Sequence, residues 1–408
     1  MNAHPGPLAG LRVLDLTRMV AGPLATQVFA DMGATVIKIE RPETGDDTRA
    51  IGPFLQGRDG LPTRDSAYFL AYNRGKQSIT VDISSPQGAA IVRDIAVTCD
   101  VVVENYKVGA LKKYGLAYED LALVAPALIY CSITGFGMDG PYAARPGYDS
   151  ITQGMAGLMS TNGPPDSMPG AEPLRTAVPI SDVVTGLYTV SAALAALHRR
   201  TVTGKGECID VSLFDASVGL NGHLAIEYLM TGRVPTRNGN ANPVSAPSEL
   251  FLCSDGKVMI AIGNNSQFDA LCRVLALPAL RQQEKFSTNS LRAHNRPQLH
   301  ALIEACTMDF TVAALIDLLA NANVPIGAIL SMDEVFEDPQ VRHRQIAAQV
   351  PHRNAATVPT LRSPIRMGGQ TLPVSGPPAL GEHTDDVLRE VLGFTDVTIS
   401  ALRRDGVV

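Results

Sequence analysis

The sequence contains no tryptophan, and aromatic residues of all kinds make up only 5% of it. Proteins that bind single-stranded nucleic acid stack the bases on aromatic side chains, so this scarcity argues against that function. An excess of basic residues is missing as well, since the formal net charge is −6. The acidic balance excludes a general nucleic-acid binder and leaves room only for a local basic site that binds a small anion.

Paired cysteines and clustered histidines are also missing. The six cysteines contain no Cys-x-x-Cys pair, and the eight histidines are scattered. Such spacing is typical of reduced, buried thiols and leaves a catalytic cysteine as a minor alternative. We therefore predict neither disulfides nor a metal site.

Long apolar runs and a secretory signal are absent from the sequence. We therefore predict no membrane partner and a cytoplasmic location. The chain has 408 residues, of which 45% are apolar and 18% are charged. This composition suits a helix-rich α/β enzyme, or a subunit that buries surface in an oligomer.

Strand-like and helix-like segments alternate in the first part of the chain. Strands are predicted at 11–16, 34–40, 78–82, 101–104 and 128–133, and helices at 24–32, 86–97 and 120–124. This alternation is typical of a doubly wound, Rossmann-like α/β domain. The fingerprint Gly-x-Gly-x-x-Gly is missing after the first strand, so nicotinamide binding is not supported.

The pattern changes beyond residue 220. Strands at 249–253 and 258–262 flank a turn, and helices are predicted at 267–275, 297–305 and 312–321, with a further helix at 384–392 near the end of the sequence. We therefore predict a smaller α+β domain over 221–325, and a large domain built from residues 1–220 and 326–408. The Gly- and Pro-rich segment 155–173 is predicted to be a loop, either a cover for a site or an ordinary surface connection.

Asp182 stands at the predicted start of a long apolar helix. Apolar residues recur at helical spacing after it, and His198-Arg199-Arg200 place cations in the last turn. A helix N-terminus offers unpaired N–H groups and a positive dipole end, which favour the ionised form that a carboxylate nucleophile needs. Taken alone, this segment favours a simpler role for Asp182 or Ser181, that of an N-cap.

An ordered series of motifs, covering almost the whole chain, resembles the class III CoA-transferases. The motifs are residues 7–17 with Ala21-Gly22-Pro23, residues 33–42, Gly45-Asp46-Asp47-Thr48-Arg49, residues 73–79, Val103-Glu104-Asn105-Tyr106, Gly135-Phe136-Gly137, Gly147-Tyr148-Asp149, Thr203-Gly204-Lys205-Gly206 and Leu380-Gly381-Glu382-His383-Thr384. Each motif alone is weak, whereas the ordered set is specific.

The resemblance implies a chemistry for Asp182. The family's nucleophile is an Asp in the pattern Asp-x-x-x-Gly, which Asp182 and Gly186 match. Asp182 is thus expected to attack an acyl-CoA thioester, forming first an anhydride and then an aspartyl-CoA thioester. Acyl-CoA and a carboxylic acid are then the substrates, without a tightly bound cofactor. The resemblance also implies a Rossmann-like fold and two chains interlocked as a homodimer.

The residues that hold CoA are also implied by the resemblance. They are Arg18, Met19, Val20, Ala21, Arg41, Asn105, Tyr106, Lys113 and Tyr148. Arg and Lys suit phosphate groups, although solvated surface charges are the simpler interpretation without the resemblance. Two departures from the family are Pro146, where some relatives carry Lys, and residues 239–243, where the glycine-rich loop of formyl-CoA transferase is not recognisable.

The chain looks most like the succinyl-CoA-dependent transferases that act on dicarboxylic acids such as glutarate, hydroxymethylglutarate or itaconate. Residues 263–268 and 288–296 carry that likeness, and Arg74, Arg233 and Arg237 are candidates to bind a second carboxylate. One alternative is an α-methylacyl-CoA racemase, but Tyr148 stands where racemases have a His base, and tyrosine is a poor base. A non-catalytic acyl-CoA-binding protein is the other alternative.

Overall fold

The computed structural model describes residues 6–408, which form two compact units. The first unit contains the described residues up to Leu158, then Arg175–Thr231 and Gln340–Val408. The second contains Met159–Leu174 and Gly232–Pro339. The domain bounds given from the sequence, 1–220 with 326–408 and 221–325, stay predictions beside this grouping.

The chain from residue 6 to residue 231 contains eight strands and nine helices. They are β1 (Arg12–Leu16), α1 (Ala21–Asp31), β2 (Thr35–Glu40), β3 (Phe54–Gln56), β4 (Pro62–Ser66), α2 (Ala67–Tyr72), β5 (Gln77–Thr80), α3 (Pro86–Val97), β6 (Val101–Glu104), α4 (Tyr118–Val124), β7 (Ile129–Thr134), α5 (Asp149–Met155), α6 (Leu158–Thr161), α7 (Ile180–Thr203), β8 (Glu207–Ser212), α8 (Leu213–Leu220) and α9 (His223–Thr231).

Six of these strands form one sheet in the order β5-β2-β1-β6-β7-β8, and every neighbouring pair is parallel. The chain starts at the centre, winds to one edge through β5 and then to the other through β8. The predicted α/β class with a parallel sheet is confirmed. Because the direction of winding reverses between β1 and β6, the loops after these two strands separate and leave a crevice at the carboxyl edge.

The central strands of the sheet are buried on both faces, as parallel sheets with crossover helices require. β6 shows this directly, since Val101, Val102 and Val103 are all fully buried. Val102 belongs to a core cluster with α3 and the C-terminal segment, whereas Val101 and Val103 pack in a second cluster with α1 and α7. Successive strand residues point to opposite faces, so an uninterrupted apolar run serves both layers.

The helix α7 is the long apolar helix that the sequence predicted. It has 24 residues, and by length and composition alone it is apolar enough to cross a membrane. The expectation that no segment reaches that length was therefore wrong. Within the first unit α7 packs on α1 and on the sheet through Val190, Ala193 and Leu197.

Gly186 lets α7 approach α1 closely. A Cβ atom at this position would lie 2.7 Å from the carbonyl oxygen of Ala21, the first residue of α1. Because that oxygen belongs to the backbone, it cannot rotate away. Gly186 therefore fixes the distance between the N-terminus of α1 and the first turn of α7, where Asp182 lies.

The second unit has its own sheet and core. Its elements beyond residue 231 are β9 (Ser248–Leu252), β10 (Lys257–Ala261), α10 (Asn265–Val274), α11 (Pro278–Gln282), α12 (Asn289–His294), α13 (Arg296–Thr307), α14 (Val312–Asn321), β11 (Ile326–Ala328) and α15 (Met332–Glu337). The three strands form an antiparallel sheet in the order β11-β10-β9. Arg292 is buried in this unit, where it donates to the carbonyl oxygens of Ala246 and Phe286.

The remaining chain returns to the first unit. It contains α16 (Pro339–Arg344), β12 (Ala347–Pro351), β13 (Thr357–Leu361), β14 (Arg366–Met367), β15 (Gln370–Thr371), α17 (Thr384–Leu392) and α18 (Asp396–Arg404). The N–H of Gly381 donates to Ser78 Oγ at 2.9 Å, and the N–H of Thr80 donates to Thr384 Oγ1 at 3.0 Å. The closing motif of the sequence thus docks on β5.

The predicted elements differ from the observed ones in three main places. Residues 20–23 were expected to be a turn, but α1 begins at Ala21 and carries Pro23 in its first turn, where proline is tolerated. The predicted loop 155–173 contains the short helix α6. The helices α2, α9 and α18 and the edge strand β8 were not predicted.

We predict that Gly186→Ala destabilises the protein by about 1–3 kcal/mol, because a methyl group would be forced against the Ala21 carbonyl. The matched control is Gly219→Ala in α8, where a Cβ would meet nothing within 4 Å. That substitution should be neutral or stabilising by up to about 1 kcal/mol, since Ala favours a helix over Gly. Urea unfolding of both variants is the measurement, and equal stabilities would contradict the prediction.

Candidate active site

A cavity of about 460 Å³ opens at the carboxyl edge of the parallel sheet in the first unit. It is bordered by the loops that follow β1, β6 and β7 and by the first turn of α7. The lining residues are Arg18, Met19, Ala21, Asp47, Asn105, Tyr106, Lys107, Val108, Ile133, Thr134, Gly135, Ala143, Ala144, Arg145, Pro146, Gly147, Tyr148, Asp149, Asp182 and Leu213. The cavity therefore occupies the crevice that the winding of the sheet creates.

The turn between β1 and α1 forms one wall of this cavity. Met19 has a positive φ of 69°, which a non-glycine residue adopts only when neighbouring contacts enforce it. Asn105 supplies such contacts, because its side-chain oxygen accepts from Arg18 N at 2.9 Å and its amide group donates to Arg18 O at 2.7 Å. Met19 N donates to Asp46 at 3.3 Å. Asn105 thus holds the backbone of the turn.

A fully buried cluster of charges lies behind the turn. Lys38 pairs with Asp46 at 3.0 Å and donates to the carbonyl oxygen of Thr17 at 2.8 Å. Lys76 pairs with Asp15 at 2.9 Å and donates to the carbonyl oxygen of Pro23 at 2.9 Å. The two lysines and two aspartates balance one another, and each lysine also holds the backbone on one side of the turn.

The charges in this cluster set one another's ionisation. Burial opposes the charge on Asp15, but Lys38 and Lys76 outweigh it and hold the pKa of that carboxyl well below its usual range. Burial lowers the pKa of Lys76 to about 8, although the charge of Asp15 opposes the shift. Asp15 therefore stays ionised and keeps both lysines in place.

A second buried group of charges continues the first. Arg49 binds both oxygens of Glu40, at 2.7 and 2.8 Å, and pairs with Asp65 at 2.7 Å. Ser78 donates to the same glutamate at 2.6 Å. The motifs that carry the sequence resemblance thus supply these buried charges as well as the cavity wall.

Asp182 lies in the first turn of α7 and lines the cavity. The alternative that Asp182 or Ser181 caps the helix was wrong, since Pro179 is the N-cap residue and no side chain bonds there. Among residues 6–408 no donor hydrogen-bonds to the Asp182 carboxylate. Burial, and then the charge of Asp149, raise the pKa of Asp182 to about 7. Burial and the charge of Asp149 thus act against the ionised form that the helix terminus favours, and the expected ionisation of Asp182 stays a prediction.

Asp149 connects the cavity wall to α7. Its carboxylate accepts from Ser181 N at 2.9 Å and from the side-chain amide of Gln153 at 2.7 Å. The two ends of the loop between β7 and α5 meet just before Asp149, where a Cβ on Gly147 would come within 2.3 Å of Gly135 Cα. Gly135 and Gly147, which belong to two of the sequence motifs, therefore allow the backbone to pass close to itself at this point.

Most of the residues expected to hold CoA meet at this cavity. Its wall includes Arg18, Met19, Ala21, Asn105, Tyr106 and Tyr148. Val20 lies beneath the turn and is only 1% exposed. Their role in binding stays a prediction, but the structure brings them onto the same wall as Asp182.

Two of the expected residues lie elsewhere. Arg41 borders a small adjacent cleft with Arg18 and Tyr106, and it pairs with Asp47 at 2.9 Å. Lys113 is exposed outside both spaces, with its ammonium 4.6 Å from the ring centre of Tyr114. The role of Lys113 in binding CoA stays a prediction.

Sequence reasoning missed several residues of the site. Lys107 and Arg145 line the cavity, and both stand close to motifs that the sequence offered. Tyr68 and Tyr72 lie on α2 with their ring centres 6.0 Å apart, and the charge of Asp182 adds to the effect of burial in raising the pKa of both phenols. No local pattern indicates these tyrosines, because they are separated from Asp182 by more than 100 residues and come within its electrostatic influence only in the folded chain.

The arginines expected to bind a second carboxylate have partners of their own. Arg74 is buried, and its guanidinium bonds to Asp31, with Nε at 2.8 Å from Oδ1. Arg237, in the second unit, pairs with Asp166 and donates to the carbonyl oxygen of Pro164 at 3.1 Å. Neither is among the residues that line the cavity with Asp182.

Other reactive groups are remote from the cavity. The six cysteines are free thiols, and none lines the cavity. Burial raises the pKa of Cys131 to about 12, which suppresses its nucleophilic thiolate. Within residues 6–408 no three His, Cys, Asp or Glu side chains are grouped as metal ligands.

We predict that Asp149→Asn lowers the pKa of Asp182, since it removes the negative charge that adds to the effect of burial. The amide oxygen of the substituted side chain can still accept from Ser181 N, so α7 should keep its position. The ¹³C chemical shift of the Asp182 carboxyl, assigned with Asp182→Asn, would follow the titration. A midpoint that does not move in Asp149→Asn would contradict this account of the charge.

Comparison with known proteins agrees with this geometry. The model of the CoA-transferase family III matches residues 8–384. The succinate–glutarate CoA-transferase of Agrobacterium fabrum is 43% identical over 392 residues, which are 96% of each chain. The human succinyl-CoA:glutarate CoA-transferase is 39% identical over 403 residues, covering 98% of this chain and 90% of the human one.

A solved structure is similar as well. The crystal structure of a CaiB/BaiF family protein from Brucella suis is 44% identical and superposes with a TM-score of 0.84, covering 95% of this chain and 100% of that one. The family match extends over nearly the whole chain and includes every residue of the cavity wall. The chain therefore belongs to the CoA-transferase family III and is a CoA-transferase.

Proposed function

We propose that this enzyme transfers CoA from succinyl-CoA to another small dicarboxylic acid, such as glutarate, a hydroxymethylglutarate-like acid or itaconate. The observation that carries the proposal is Asp182, a carboxylate without a hydrogen-bond donor, among residues 6–408, on the wall of a cavity at the switch point of the sheet. Succinyl-CoA and glutarate follow the names of the two relatives above, whereas the hydroxymethylglutarate-like acid and itaconate rest on the sequence resemblance alone.

The proposed reaction begins with attack of the Asp182 carboxylate on the thioester carbonyl of succinyl-CoA. The carbon–sulfur bond breaks, a succinyl–aspartyl anhydride forms, and CoA leaves as its thiolate. The thiolate then attacks the Asp182 carbonyl carbon, which releases succinate and leaves an aspartyl-CoA thioester. No proton is gained or lost in either step.

The second half of the reaction reverses these steps with a different acid. The acceptor carboxylate attacks the Asp182 carbonyl carbon, expels CoA thiolate and forms a second anhydride. The thiolate then attacks the acceptor's carbonyl carbon, giving the new acyl-CoA and restoring the Asp182 carboxylate. Because every intermediate reacts with water as well, the cavity must exclude water during turnover.

The surroundings of Asp182 suit this role. A carboxylate that accepts no hydrogen bonds is a stronger nucleophile than a solvated one, because it has no donors to lose on attack. With a pKa raised to about 7, roughly half of the Asp182 side chains are ionised at neutral pH. Transfer should therefore weaken as the pH falls through 7, since the protonated acid does not attack the thioester.

The cavity wall offers groups for CoA. Arg18 lies over the ring of Tyr106 at 5.1 Å and pairs with Asp47 at 3.0 Å, which holds its guanidinium beside the loop after β6. Lys107 follows Tyr106 on the same loop. We assign these cations to the phosphates of CoA, a role that suits guanidinium and ammonium groups.

The mechanism is tested by trapping the covalent intermediate. We predict that succinyl-CoA followed by hydroxylamine or borohydride changes the intact mass of the protein, and that peptide mapping places the change on Asp182. Asp182→Ala should show no such change, whereas Asp149→Asn should keep it, since its Asp182 remains. Bound CoA without any modification of Asp182 would move the assignment to a racemase, detected by α-deuterium exchange, or to a binding protein.

We also propose that two chains form a homodimer. Large apolar side chains are exposed on α7 and α9 of the first unit, including Leu187 at 49%, Leu229 at 75% and Met230 at 79%. Such a concentration of exposed apolar groups is typical of a protein interface.

We predict a dimer mass in light scattering at micromolar concentration. Leu229→Glu with Met230→Glu should lower that mass or the yield of soluble protein. The matched control is Val202→Glu on the last turn of α7, where the side chain is exposed as well. A wild-type chain that is monomeric throughout would exclude the dimer.

A further inference from the structure

Arg145 is a cation on the cavity wall for which the described chain provides no anion. The wall carries three cations, Arg18, Lys107 and Arg145. Arg18 pairs with Asp47 at 3.0 Å, whereas in residues 6–408 no carboxylate lies within ion-pair distance of Arg145. An exposed arginine without a partner on the wall of a substrate cavity is available to an anionic ligand.

The guanidinium of Arg145 is held by aromatic side chains instead. Its central carbon lies 4.0 Å from the ring centre of Tyr142. Tyr142 packs edge-on against Phe136 at 5.6 Å, and Phe136 contacts Phe214 at 5.8 Å. The backbone N–H of Arg145 also donates to Tyr142 O at 2.8 Å. This stack fixes a flexible side chain before the ligand arrives, which reduces the entropy lost on binding.

Arg145 belongs to the segment of the cavity wall that leads from β7 to Asp149. It is four residues before Asp149, so their Cα atoms are at most about 14 Å apart. Asp149 in turn contacts the residue next to Asp182, through the hydrogen bond from Ser181 N at 2.9 Å. Lys107 and Arg18 belong instead to the loops after β6 and β1, which we assigned to CoA phosphates.

The charges near Asp182 require a cation there if the substrate is a diacid. Asp182 and Asp149 are both on the wall, and a dicarboxylate brings a carboxylate that reacts and a second one that stays charged. Without a nearby cation, the second carboxylate would be repelled by both aspartates and would lose its hydration.

We propose that Arg145 binds the free carboxylate of the dicarboxylic substrate and so selects diacids over monoacids. This inference rests on the proposed function. The same guanidinium serves both halves of the reaction, because the succinyl group and the acceptor each carry one carboxylate that does not react. The planar fork of the guanidinium matches a carboxylate with two parallel hydrogen bonds, and the ring of Tyr142 fixes its plane.

The test compares diacids and monoacids of equal chain length in Arg145→Gln. The kcat/KM for glutarate, measured against that for valerate, should fall about 10- to 100-fold, as expected for loss of a charge-assisted hydrogen-bond pair. Transfer from acetyl-CoA to valerate should keep its rate, because neither substrate has a second carboxylate. Arg145→Lys should restore part of the preference, since it keeps the charge and loses the fork.

Controls separate this role from others. Arg93→Gln makes the same change at an exposed arginine on α3, and it should leave both acids unaffected. If Arg145→Gln raised the KM of acetyl-CoA and succinyl-CoA alike, Arg145 would be a phosphate partner, and the inference would be wrong. An unchanged preference for glutarate in a folded Arg145→Gln would also overturn it. Failure of the proposed function looks different, since the wild-type enzyme would then transfer CoA to no diacid.

Discussion

The buried cluster of Lys38, Lys76, Asp15 and Asp46 is the interaction on which the site depends. Four charges are removed from water here, and they are tolerated because each finds an opposite charge and further hydrogen bonds. Loss of one partner would leave an uncompensated buried charge, which costs about 3–5 kcal/mol. The cluster also determines geometry, since the lysines hold the carbonyl oxygens of Thr17 and Pro23 on either side of the strained Met19.

A second constraint places the Asp182 carboxylate in the wall of the same cavity as that turn. Gly186 brings α7 against the start of α1, and Asp149, the first residue of α5, holds the N-terminus of α7. The same two contacts keep Asp182 in a space with little water and a like charge nearby, which together raise its pKa. The position of the Asp182 carboxylate and its raised pKa thus depend on the same contacts, and Asp182 and Gly186 are the Asp-x-x-x-Gly motif in the sequence.

The local signals in the sequence predicted some elements to the residue. For α3, Ser85 accepts a hydrogen bond from Gly88 N as an N-cap and Pro86 occupies the first turn, so the start of this helix is encoded locally. The start of α1 was missed because Gly22 and Pro23 also favour turns, and only the packing on α7 decides between the two. The ordered motifs indicated the family, and the family comparison confirmed it.

The chemistry around the predicted residues depended on contacts that sequence spacing does not reveal. The close approach of Gly135 and Gly147, the burial of Asp182 and the aromatic stack beneath Arg145 all join segments that are separate along the chain. Burial acts against the ionised form of Asp182, and burial is a property of the folded cavity that the helix terminus alone does not reveal.

The first unit closes only when distant parts of the chain meet. Arg49 donates to the carbonyl oxygen of Pro378 across 329 residues of sequence. The N–H of Thr80 in β5 donates to Thr384 Oγ1 across 304 residues. During synthesis, the β5 edge of the sheet and the buried group around Arg49 therefore stay incomplete until the second unit has been made. Contacts of such long sequence separation slow folding and prolong exposure of apolar surface. The sheet order that shapes the crevice thus also lengthens the time for which the β5 edge stays unprotected during synthesis.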